Sequence, residues 1–80
     1  MRECAILVHR NYAEGLTATA YLNEEDARRE MNEAVDSVIG KLTEEGYKPK
    51  IIENGWDNIE VSAADGNIYY EWSIILSEIR

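Results

Sequence analysis

Eighty residues, 45% apolar and 30% charged, describe one globular domain over residues 1–80, since disordered chains are poorer in apolar groups and domains rarely run below about 50 residues. A chain this short buries only roughly 60–65% of its unfolded surface, which leaves room for one core and little room for an enclosed pocket. Sixteen acids against eight bases give a net charge of −8, which excludes direct nucleic-acid binding through a basic patch, and no stretch approaches the roughly 20 apolar residues of a membrane span.

Residues 3–10 alternate, with Cys4, Ile6 and Val8 on one side and Ala5, Leu7 and His9 on the other. Both sets are largely apolar, which predicts a strand in the sheet interior. Asn11-Tyr12-Ala13-Glu14-Gly15 reads as a turn. In residues 16–22, Leu16, Ala18, Ala20 and Leu22 are expected on the core face and Thr17, Thr19 and Tyr21 outside. The two strands form a hairpin.

Asn23 suits a helix N-cap, and Glu24, Glu25 and Asp26 follow where the helix dipole favours negative charge. Ala27, Met31, Ala34, Val35, Val38, Ile39 and Leu42 recur at helical spacing. The helix is expected over residues 24–45, with Glu24–Arg28 and Glu25–Arg29 as i,i+4 pairs. Gly46 suits the position after its end, and Gly40 is expected to permit close approach to the sheet.

Residues 48–53 read as a strand that Pro49 assigns to a sheet edge. Asn54-Gly55 and Asp65-Gly66 are hairpin turn signals. Between them residues 57–63 alternate, with Ile59 and Val61 on one side. Residues 68–79 form a long strand carrying Ile68, Tyr70, Trp72, Ile74 and Leu76 on one face and Tyr69, Glu71, Ser73, Ile75 and Ser77 on the other. The predicted class is α+β, β-β-α-β-β-β, one long helix on a five-stranded antiparallel sheet of order 2-1-5-4-3. That order centres the two most apolar strands and leaves one face of the sheet for solvent or a partner.

Little in the chain points to catalysis, metal binding or a cofactor. Cys4 and His9 are the single Cys and the single His. Five residues apart on one strand, they point to opposite faces and cannot form a dyad. Cys4 reads as a core hydrophobe and His9 as a sheet-surface residue. A zinc site needs about four ligands, with Cys and His the usual donors, and no EF-hand, Walker or dinucleotide fingerprint is present. A lone cysteine and no leader-like start make a cytoplasmic setting the simplest expectation.

The charge is unevenly placed. Residues 51–79 carry Glu53, Asp57, Glu60, Asp65, Glu71 and Glu78 and no Lys or Arg. Excess charge of this kind keeps a small protein soluble, and it also attracts basic protein surfaces. Aromatic residues beside carboxylates suit an interface that receives Arg and Lys. The candidate partner-binding residues are Glu53, Trp56, Asp57, Glu60, Asp65, Tyr69 and Glu71, with Glu30, Glu33 and Asp36 on the helix as a second acidic row. A homodimer that hides Leu7, Tyr69 and Ile75 is an alternative, and a small-ligand pocket between subunits is another.

The size, the acidity and the base-free segment with turns at Asn54-Gly55 and Asp65-Gly66 resemble the small accessory proteins of bacteriophages and mobile elements, anti-CRISPR proteins among them. The resemblance implies a non-catalytic inhibitor that docks on a basic groove of a host nuclease such as a CRISPR effector. It is one of size and style and carries no functional residue across by position.

Overall fold

The computed structural model describes residues 2–13 and 15–79, the side chains of Arg2, Glu3, Glu78 and Ile79 apart. Strands β1 (Arg2–Asn11) and β2 (Gly15–Tyr21) form the first hairpin, whose Glu14 lies outside the described residues. Helix α1 (Glu24–Glu44) follows, then β3 (Lys50–Glu53), β4 (Asn58–Ala63), a 3-10 turn (Ala64–Gly66) and β5 (Ile68–Ile79). The sheet order is β2-β1-β5-β4-β3 with every pair antiparallel, as the sequence predicts. Pro49 precedes an edge strand because it has no N–H to give to a ladder.

Asn23 caps α1: its side-chain oxygen accepts the Asp26 N–H at 2.8 Å, satisfying one of the donors that a helix start leaves without a partner. At the other end Glu45 is the C-cap. Gly46 follows at φ +91°, a left-handed position that a Cβ would strain. Arg28 pairs with Glu24 at 3.7 Å as expected, whereas Arg29 reaches Asp26 at 2.9 Å instead of Glu25. Three-residue spacing on a helix brings side chains together as well as four does.

The core lies between α1 and one face of the sheet. Ala27, Met31, Val35 and Leu42 are buried on α1, with Ala34, Val38 and Ile39 packed at the margin. They meet Ala5 and Leu7 of β1, Ile59, Val61 and Ala63 of β4, and Ile68, Tyr70, Trp72 and Ile74 of β5. Register explains this membership, since residues directly opposite in a ladder share a face. Leu7 stands opposite Ile74, and Trp72 opposite both His9 and Ile59.

The structure corrects five expectations, the first four through that register. Leu7 stands opposite Thr19 and Ala5 opposite Tyr21, so the helix-side face of β2 is Thr17, Thr19 and Tyr21. Tyr21 packs on the core while Leu16 is 61% exposed. Leu7 is itself buried under α1 and cannot contribute to an interface on the other face. Cys4 stands opposite Ser77 on that uncovered face, outside the helix-side core. His9 is on the helix side, its ring stacked on Trp72 at 4.7 Å, and its Nδ1–H donates to the Glu71 carbonyl at 3.1 Å. Gly40 is exposed, and a Cβ built there meets nothing within 4 Å, so it serves no close approach.

Candidate functional site

The face of the sheet opposite α1 has two halves. Register places Ile6 beside Ala20 and Ile75, and Val8 beside Ala18 and Ser73, which makes one half apolar. Further along, Arg10 stands opposite Glu71, Glu71 opposite Glu60, and Glu60 opposite Ile52. Tyr69 and Ser62 form the next row. This second half is polar and acidic.

Glu60 and Glu71 face each other across the β4–β5 ladder. Like charges directly opposite destabilise a sheet, and here neutral donors hold them. The Tyr69 hydroxyl donates to Glu60 Oε1. Asn54 Nδ2 donates to Glu60 Oε2 at 2.7 Å and to Asn58 Oδ1 at 2.8 Å. Asn58 Nδ2 donates in turn to Glu71 Oε2 at 3.2 Å and to Ser73 Oγ at 2.8 Å. The Asn54-Gly55 turn therefore has a second role: it carries the amide that begins this network. Among the described residues the ion pairs are those of Arg28 and Arg29 on α1, and neither Glu60 nor Glu71 belongs to one.

The electrostatic consequence is direct. Hydrogen bonds from Tyr69 and Asn54 stabilise the ionised carboxylate and hold Glu60 below the usual carboxylate range. The same bond raises the Tyr69 phenol to about 12, chiefly because its proton is held by Glu60, with burial and the nearby Glu71 charge adding to the effect. At neutral pH the site carries a fixed carboxylate and a neutral phenol that keeps its hydrogen.

No family model, curated protein or solved structure matches this chain. The site is thus read from its own geometry.

The fold brings together three of the seven expected partner-binding residues, Glu60, Tyr69 and Glu71. The other four lie elsewhere. Glu53 stands opposite Ile59 and so belongs to the helix side of the β3 edge. Trp56 is in the β3–β4 turn with the Arg28 guanidinium 5.4 Å over its ring, a cation–π contact within the chain. Asp57 is half-buried in the same turn, and its carbonyl accepts the Ile74 N–H at 2.8 Å. Asp65 lines a separate open hollow with Lys48 and Lys50. The Glu78 side chain is outside those described. Glu30, Glu33 and Asp36 are exposed on α1. Glu33 and Asp36 share a shallow surface hollow with Arg28 and Arg29, which makes that row mixed in sign. Asn54 and Asn58 were not among the expected site residues. Their sequence signal was absorbed by the turn, and only the ladder register reveals the carboxylates they serve.

No group of three or more His, Cys, Asp or Glu side chains suited to a metal occurs among the described residues. No described helix is long and apolar enough to cross a membrane.

Proposed function

We propose that this chain is a non-catalytic binding protein, a phage-type inhibitor that docks the acidic half of its open sheet face on the basic nucleic-acid-binding groove of a nuclease such as a CRISPR effector. Glu60 and Glu71 stand in for phosphates there, and Tyr69 is the aromatic beside them. The observation that carries this reading is the pair itself: two carboxylates at adjacent cross-strand positions on an uncovered face, held by donors that carry no charge. Neutral donors fix the orientation of the carboxylates, and Arg10 opposite Glu71 sets one base against two acids, so the row stays net negative and still attracts an incoming Arg or Lys. The planar Arg fork matches the two oxygens of a carboxylate as it does those of a phosphate, which suits carboxylates held in a set orientation. Of the expected surface, this narrows the docking residues to Glu60, Tyr69 and Glu71.

The experiment is inhibition of DNA binding by a panel of purified CRISPR effector nucleases, measured over rising salt. The expected result is inhibition of at least one nuclease that weakens with salt and disappears in the double variant Glu60→Lys, Glu71→Lys. The helix variant Glu33→Lys, Asp36→Lys changes net charge equally and keeps the inhibition. Undiminished inhibition by the sheet variant, or no inhibition across the panel, removes the reading.

A further inference from the structure

The two edges of the sheet differ in kind. The β3 edge is four residues long, follows Pro49, and carries Lys50 and Glu53. Short length, proline and charge are the features by which edge strands avoid pairing with other chains. The β2 edge has none of them. It runs for seven residues, Gly15–Tyr21, and Gly15 through Ala20 are all exposed. It pairs on one side alone, with β1, so its other side presents a row of N–H and C=O groups. Residues 15–23 are also the longest stretch of the sequence without Asp, Glu, Lys or Arg. In a chain of net charge −8, this is where a second, equally charged copy meets least repulsion.

The side-chain pattern is self-complementary. Thr17 and Thr19 flank Ala18 symmetrically, with Leu16 and Ala20 beyond them. We propose that two copies of this chain pair antiparallel through β2 about a two-fold axis at Ala18. Thr17 of each copy then lies opposite Thr19 of the other, a favourable cross-strand pair on the helix side. Leu16 lies opposite Ala20 on the open face, which places the 61% exposed Leu16 beside the apolar row of Ala20, Ile6 and Ile75 in the partner. Two five-stranded sheets become one of ten strands, with both helices on one side and both acidic halves on the other. The pairing is isologous and uses up both β2 edges. A two-fold pairing of this kind is closed on itself and does not propagate through β2. The association leaves Glu60 and Glu71 uncovered and does not depend on the docking role proposed for them.

Sedimentation equilibrium of the whole chain tests this. The expected result is a dimer of the 9.2 kDa chain that dissociates on dilution. Ala18→Lys places two ammonium groups opposite each other at the axis and should raise the dissociation constant about 10-fold or more. Ala18→Glu should act likewise, and mixing the two variants should restore a heterodimer. Position 18 is exposed, and far-ultraviolet circular dichroism checks that both variants stay folded. A wild-type chain that remains monomeric up to millimolar concentration overturns the proposal. So does a dimer that is indifferent to both substitutions, or variants that fail to rescue each other.

Discussion

The phenol of Tyr69 donates to Glu60 across the β4–β5 ladder, and the bond shifts the proton affinity of each group in opposite directions. Tyr69 is raised from an ordinary 10.0 to about 12. A group whose folded value lies above its unfolded one contributes stability that is complete below the unfolded value and is lost as pH rises toward the folded one. The Tyr69 contribution therefore fades between pH 10 and about 12. Glu60 is depressed, so its contribution is present above the ordinary carboxylate value of 4.5 and is lost as pH falls through the lower folded value. Ultraviolet titration of tyrosinate should show a late step that Glu60→Gln moves down toward the ordinary range. A titration unchanged by that substitution would mean the bond does not persist in solution.

Trp72 is 2% exposed and sits at the centre of the core, opposite Ile59 on one side and His9 on the other. Truncation to Ala removes its packing and leaves a cavity, a change that costs about 3–5 kcal/mol. Domains are stable by about 5–15 kcal/mol, and small ones lie at the lower end. Trp72→Ala should therefore leave the chain largely unfolded or close to it. Urea unfolding followed by circular dichroism checks this, and a midpoint near that of the wild type contradicts the placement of Trp72.

Gly40 lies inside α1, faces solvent, and has open space where a Cβ would stand. Ala loses less backbone entropy than Gly in a helix, so Gly40→Ala should stabilise the chain by about 0.5–1 kcal/mol. For a domain of this size that is a rise in Tm of about 2–8 °C. A lowered Tm would show that the glycine meets something after all, such as a partner on the outer surface of α1.

The helix was readable because its signal is local. Seven apolar positions at helical spacing became the seven core or core-margin residues of α1, and Asn23 caps it as its chemistry demands. The strand order was readable for a related reason. Turn residues at 54–55 and 65–66 force neighbouring strands to pair, and only the contact of β1 with β5 had to be argued from burial. Both turns are in the expected place and neither is a two-residue hairpin: the Asn54 N–H donates to the Asn58 carbonyl across three residues, and Ala63 pairs with Ile68 across a 3-10 turn in which Ala64 and Asp65 both take positive φ.

The acidic site was less readable. Glu60, Tyr69 and Glu71 could be grouped from alternation on two adjacent strands. Glu53 and Trp56 could not be separated from them, because their sides depend on how β3 and its turn sit against β4. The same difficulty reversed β2. Leu16, Ala18 and Ala20 alternate with Thr17, Thr19 and Tyr21, and either set can serve as the inner face until the strand is placed beside β1.

By itself, then, the sequence determined the elements, their order in the sheet and the stripe by which the helix binds it, because periodicity, capping and turn chemistry act over a few residues. Tertiary structure alone decided which face β2 and β3 turn to the helix, and hence that Glu53 does not share the surface of Glu60 and Glu71. The reason is register: a slip of one residue sends every side chain of a strand to the other face. Here register is set by β1 meeting β5 from the opposite end of the chain, as in the pairing of Leu7 with Ile74.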